Sequence, residues 1–145
     1  MARYVSAAAG AVVATTALPG YSVYSIAAVG FELREVACFN VAAVASRHRL
    51  TRLTTAGTAG AGQVEAKYDD DSAAASCTAF LTHTVAPTLG DGLHMLPLGA
   101  AIGSGTILTF YDKGIECPVG TANGIGVVVA TGTGQIADHT MVWDE

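Results

Sequence analysis

Four histidines, three cysteines and a short acidic run are the residues of this 145-residue chain that could do chemistry. His48, His83, His94 and His139 could act as general bases or metal ligands, but no HExxH or HxH spacing joins any of them. Asp91 could meet His94 across a loop, and Asp138 could meet His139. Such pairs are common on protein surfaces, and neither is read as catalytic. Ser104 lies in Gly103-Ser104-Gly105, which lacks the Gly-x-Ser-x-Gly elbow of a hydrolase and reads as a hairpin turn. Glu116-Cys117-Pro118 stands without the H-x-E and P-C-x-x-C elements of a zinc deaminase. Asp69-Asp70-Asp71 could gather calcium, but it lacks the spaced ligands of a calcium loop and reads as a solvated acidic turn. Gly99, Gly103 and Gly105 precede a strand, so they form no dinucleotide fingerprint. Residues 56–62 (AGTAGAG) lack the Lys-Ser/Thr ending of a phosphate loop. The expectation is no catalytic residue, no metal site and no cofactor.

Cys38, Cys77 and Cys117 are far apart, with no CxxC, and an odd number argues against a full disulfide framework. Buried free thiols are the expected state; one disulfide plus a spare thiol is the alternative.

Composition points to an assembly. Charged residues are 13% of the chain, about half the usual soluble share. A surface with so few charges is expected to be covered in part by other subunits. The net charge of −5 is wrong for nucleic acid, which needs concentrated positive charge. The one basic cluster is Arg47, Arg49 and Arg52 around His48. On a strand, Arg47 and Arg49 share a face and Arg52 takes the other, which suits a subunit or rim contact. The opening MARYVSAAAGAVVATTA resembles a weak signal peptide, but Ser6, Thr15 and Thr16 dilute it and it is too short and mild to span a membrane. Residues 1–20 are therefore read as an N-terminal arm or a first strand, and no membrane partner is expected.

The elements that would position these residues are short strands. Gly90-Asp91-Gly92, Gly103-Ser104-Gly105, Lys113-Gly114 and Asn123-Gly124 each read as a change of direction, and Asn-Gly is a strong hairpin signal. Tyr21, Val23, Tyr24, Ile26 and Val29 favour a strand, Gly30 a bulge or bend, and 32–36 a further strand, with a helix over 32–45 as the competing local reading. Residues 48–55 read as a strand, 56–62 as a flexible turn, 64–68 as a short strand and 72–76 as a linker or a single helical turn. In 77–85, Cys77, Ala79, Leu81, His83 and Val85 fall on one face and Thr78, Phe80, Thr82 and Thr84 on the other. Pro97 and Pro118 place 93–98 and 115–119 at edges or bulges. Residues 106–111 (TILTFY) read as a central strand and 125–131 as the most buried one. A turn follows at 132–135, and 137–143 closes the fold with His139, Met141 and Trp143 on one face. The sum is an all-β, jelly-roll-like antiparallel β-sandwich over 21–145, with another Greek-key sandwich or barrel as the alternative.

Three segments carry a resemblance. Residues 50–60 (LTRLTTAGTAG), 85–110 (VAPTLGDGLHMLPLGAAIGSGTILTF) and 117–135 (CPVGTANGIGVVVATGTGQ), with the closing HTMVWDE, look like small virion proteins of tailed bacteriophages. The likeness runs over nearly all of the chain after Tyr21. It implies a capsid decoration (cement) protein: a homotrimer on the outer surface of the capsid that clamps neighbouring major capsid subunits, with no enzymatic residues. The alternative within the resemblance is a tail, fibre or baseplate module that recognises host glycan. Tyr24, Tyr68, Tyr111 and Trp143 would then be the aromatic supply.

Overall fold

A computed structural model describes residues 1–10, 14–131 and 136–145. The described residues form twelve β-strands, β1 (Arg3–Ala8), β2 (Tyr21–Tyr24), β3 (Phe31–Asn40), β4 (Ser46–Leu53), β5 (Thr58–Gly62), β6 (Ala66–Lys67), β7 (Thr78–Val85), β8 (Leu89–Leu98), β9 (Gly105–Thr109), β10 (Ile115–Cys117), β11 (Gly124–Val129) and β12 (Ala137–Asp144). Two antiparallel sheets pack as a β-sandwich, one ordered β10-β3-β12-β1-β6 with β9 also on β3, the other β5-β7-β2-β11-β4-β8.

The pairing is nested. β1 pairs with β12, β2 with β11, β3 with β9 and β10, and β4 with β8. The chain is thus one long ribbon, doubled back and rolled into two sheets, which is jelly-roll order. β5, β6 and β7 are an insert at the fold of the ribbon, widening one sheet beside β2 and touching the other at β1.

Alternation puts Tyr4, Leu33, Val36, Met141 and Trp143 of one sheet against Val23, Leu50, Leu96, Ile125 and Val127 of the other. Trp143 is fully buried between Tyr4 and Phe31, at ring centroid distances of 6.2 and 6.4 Å. Its indole N–H donates to Glu145 Oε1 at 2.9 Å. The same carboxylate accepts from the backbone N–H of Ser76 and Cys77, so the last residue pins the end of the insert. On the outer side of β12, Asp144 accepts from Arg3 Nε and Nη2 at 2.7 and 3.0 Å and from Arg34 Nε at 2.7 Å. Arg34 also reaches Glu32 at 2.7 Å.

Several expectations change in three dimensions. Residues 1–20 take the first-strand alternative: Arg3–Ala8 pairs along its whole length with β12, β6 covers Tyr4 and Val5 on its other edge, and it does not project as an arm. Residues 58–62 are no flexible turn but the edge strand β5, its weak intrinsic preference overridden by pairing with β7. The 106–111 stretch is not central. β9 pairs only with β3, leaving Ile107 at 55% and Tyr111 at 88% exposure. Strong β propensity marks a strand but carries no information about its place in the sheet. Gly90-Asp91-Gly92 lies within β8 as a register irregularity opposite Thr51. Gly103-Ser104-Gly105 and Asn123-Gly124 make no hairpins: each joins strands in different sheets. The tight turn before β11 is set by Gly120, at φ 127°, whose carbonyl accepts from Asn123 N–H. Thr82 at φ 61° breaks the expected alternation of β7, so His83 turns to the side of Ser22 and Tyr24 instead of joining Ala79 and Leu81. Pro97 and Pro118 do fall in or beside the edge strands β8 and β10. The turn expected at 132–135 lies outside the described residues.

Asp144→Ala removes the acceptor shared by two arginines. It should lower stability by about 1–3 kcal/mol, since Arg34 is mostly covered and is left with Glu32 alone while Arg3 is half exposed. Urea unfolding of the variant beside Arg3→Ala, which should cost under about 1 kcal/mol, checks this.

Candidate interaction surface

The residues that could have done chemistry are mostly drawn inside. Cys38, Cys77 and Cys117 are free, buried thiols. Burial pushes Cys38 up to about 12 and Cys117 up to about 11, and raises Cys77 as well, so all three stay protonated near neutral pH. His139 packs flat against Tyr21 at 5.8 Å and tilts toward His48 at 6.2 Å, inside the sandwich. Burial, with a smaller push from His48, lowers His139 to about 3. His48 is lowered by burial too, and its Nε2 lies 3.1 Å from Ser46 Oγ. His83 Nε2 lies 2.9 Å from Ser22 Oγ, and burial lowers its pKa. These are buried, neutral histidines held by stacking and hydroxyls.

The anticipated pairs do not form. His94 packs on Phe110 at 5.4 Å. Asp138 accepts from the backbone N–H of Gly10, while His139, the next residue, points into the core. Ser104 Oγ donates to the Gly99 carbonyl, closing its loop. Asp69 Oδ1 accepts from Asp71 N–H in an exposed turn. Among the described residues, no group of three or more His, Cys, Asp or Glu side chains could hold a metal ion. No helix among them is long and apolar enough to cross a membrane. Of the basic cluster, Arg47 and Arg49 lie on the outer side of β4, while Arg52 sits on the other and donates to the Glu116 carbonyl at 2.7 Å.

What the fold does assemble is an end whose loops carry no charge, a charge-free end flanked by Arg47 beside Ala45 and Thr131 and by Asp138 at Gly10. Four loops meet where β1, β3, β8 and β11 finish, their described residues being 9–10 and 14–20, 41–45, 99–104, and 130–131 with 136. Asn40 staples them. Its amide donates to the carbonyls of Val44 and Gly99 at 2.7 and 2.8 Å, and its backbone bonds Gly103 and Ser104. Val41 N–H reaches the Ile136 carbonyl, and Val129 N–H the Thr15 carbonyl. None of the four loop sequences contains Asp, Glu, Lys, Arg or His. Two of them, VAAVA and GAAIGS, are almost wholly apolar, and they leave Val44 at 49% and Ile102 at 72% exposure. Loops at a free surface are ordinarily polar. The opposite end carries Glu32, Arg34, Asp112, Lys113, Glu116 and the acidic turn.

Comparison with known proteins adds no relative. No protein-family model, no curated protein and no solved structure matches this chain.

The charge-free end could not be read from the sequence because its loops are up to about a hundred residues apart along the chain. The signal was there in the uncharged VAAVA and GAAIGS, but only the nested pairing brings them side by side.

The buried histidines give a pH dependence. The unfolded chain binds a proton at His139 near its ordinary value, about 6.5, whereas the folded chain refuses it down to about 3. Stability is therefore complete above about pH 7 and falls as pH drops through that window, by about 1.4 kcal/mol per unit for this one group. Asp144, held below the carboxylate range chiefly by its hydrogen bond from Arg3, adds a loss in the same direction at the acid end. Thermal unfolding from pH 8 to pH 4 should show a flat Tm that drops below pH 6. His139→Phe, which keeps a ring against Tyr21, should lessen the drop.

Proposed function

We propose that this chain is a structural virion protein: a capsid decoration or cement protein that stabilises the head of a tailed phage. In this reading it sits as a homotrimer on the outer surface of the shell and bridges major capsid subunits. The observation that carries the reading is the charge-free end. The loops themselves carry no ion to desolvate, with Arg47 and Asp138 only flanking them, so covering Val41, Val44 and Ile102 is favourable at about 25 cal/mol per Å² of apolar area. The charges gathered at the other end stay in water and keep the particle soluble. The jelly roll supports the reading by presenting loops from both sheets at one end, on a rigid support. The sparse charge of the chain points the same way, and the resemblance read in residues 50–60, 85–110 and 117–135 is what suggests a phage particle. A place in a tail, fibre or baseplate is the competing location, and imaging labelled particles separates the two.

The test is co-sedimentation with assembled shells, with oligomeric state measured by light scattering. The wild-type chain should run as a trimer and pellet with shells. The double variant Val44→Asp/Ile102→Asp should keep its fold and bind shells at least tenfold more weakly, because each introduced carboxylate must be desolvated at the contact. A monomer at micromolar concentration that stays in the supernatant with shells would overturn the reading.

A further inference from the structure

Two of the four aromatic residues that might have recognised sugars are unavailable. Trp143 is fully buried, and Tyr24 is buried against Phe80 and His83. The other two, Tyr68 and Tyr111, come from the insert and from the segment after β9, forty-three positions apart, yet line one open groove on the outer face of the β12 sheet. The two residues are 62% and 88% exposed, far more than a packing role requires. Tyr68 is fixed there by its backbone N–H, which donates to the Arg3 carbonyl at 3.0 Å. Arg3, Arg34, Glu35 and Thr109 line the same groove, with Phe110 and Val142. The groove has a volume of about 310 Å³, room for one or two sugar rings.

We propose that this groove is a carbohydrate-binding site for neutral sugar units, gripped by the two tyrosine rings and hydrogen-bonded by the polar groups that line it with them. Sugars present apolar C–H faces and rims of hydroxyls, so a site needs flat exposed rings beside fixed donors and acceptors. The donors here are pre-positioned. Asp144 holds both guanidinium groups in place, and Thr109 Oγ1 donates to Glu35 Oε2 at 3.0 Å, which orients that carboxylate. The same ion pairs set the class of ligand. Arg3 and Arg34 are both matched by Asp144, Arg34 also by Glu32, and Glu35 adds a further negative charge beside them. An anionic sugar therefore meets no uncompensated cation, while a neutral one meets hydrogen-bonding groups of both kinds. The groove lies on the half of the sheet near the N-terminus of β1, away from the charge-free end, so a chain seated by that end keeps the groove open to solution. The site does not depend on the shell-docking reading.

The experiment uses the intact isolated chain and ligand-observed saturation-transfer NMR. The probes are maltohexaose and chitotetraose as neutral oligosaccharides and 3′-sialyllactose as an anionic one. Saturable binding of at least one neutral probe is expected, with no stronger response to sialyllactose. Tyr68→Ala and Tyr111→Ala should each weaken it at least fivefold with Tm unchanged, because both rings are exposed. Lys113→Ala, a charged change outside the groove, should leave it intact. Absence of binding to both neutral probes, binding indifferent to the tyrosine changes, or a preference for the anionic probe would overturn the proposal. Shells play no part in this measurement, so its failure is separate from any failure of shell binding.

Discussion

The fold depends on the pairing of its two ends. β1 and β12 run antiparallel from Arg3 opposite Asp144 to Ala8 opposite His139. Ala2 and Glu145 exchange backbone hydrogen bonds just beyond. Everything nested inside the ribbon is closed by this contact, whose ion pair spans 141 positions of sequence. β12 also supplies β3 with its central partner, so without it one sheet would separate into two pieces. Such non-local pairing pays its loop entropy before any contact rewards it, and a fold organised in this way forms slowly for its size.

Asp144 and Trp143 show how one strand serves both faces. Trp143 fills the centre of the sandwich, while Asp144 gathers two arginines on the outside. The register shift between Val142 and Trp143 against β3 lies at this junction, where Arg34 stands out of the ladder. A bulge here re-aims a side chain, and the side chain re-aimed is the guanidinium that completes the ion-pair network. The groove between Tyr68 and Tyr111 is built directly on it.

Glycine and alanine are abundant for two separate reasons. Some positions allow backbones to touch: a Cβ at Gly105 would stand 2.4 Å from the Cys38 carbonyl oxygen, and one at Gly114 2.5 Å from that of Leu33. Both lie where the β9–β10 segment closes on β3. Other positions, in the loops at 41–45 and 99–103, are open to solvent, although Gly103 there also takes a positive φ of 81°. There, small apolar residues make a smooth uncharged end, and the physical consequence is a surface cheap to desolvate.

Much of the architecture was legible in the chain. Glycine and proline punctuation, the alternation of 137–143 and the continuous apolar run of β11 specify strands because a side-chain period of two is a local property. Pro97 and Pro118 named their edges, since a residue without an N–H cannot serve a central ladder. The place of β9, the strand identity of β5, the turned-out His83 and the meeting of the uncharged loops were not legible. Each depends on which segments lie beside one another, and residues such as Ile107 or Ala59 look the same whether or not a partner strand covers them. By itself the sequence determined that this protein is a low-charge stack of short antiparallel strands with a buried tryptophan at its close. Tertiary structure alone decided which tyrosines are exposed, which histidines lose their charge and where the uncharged loops converge, because burial and field are sums over neighbours that the linear order leaves far apart.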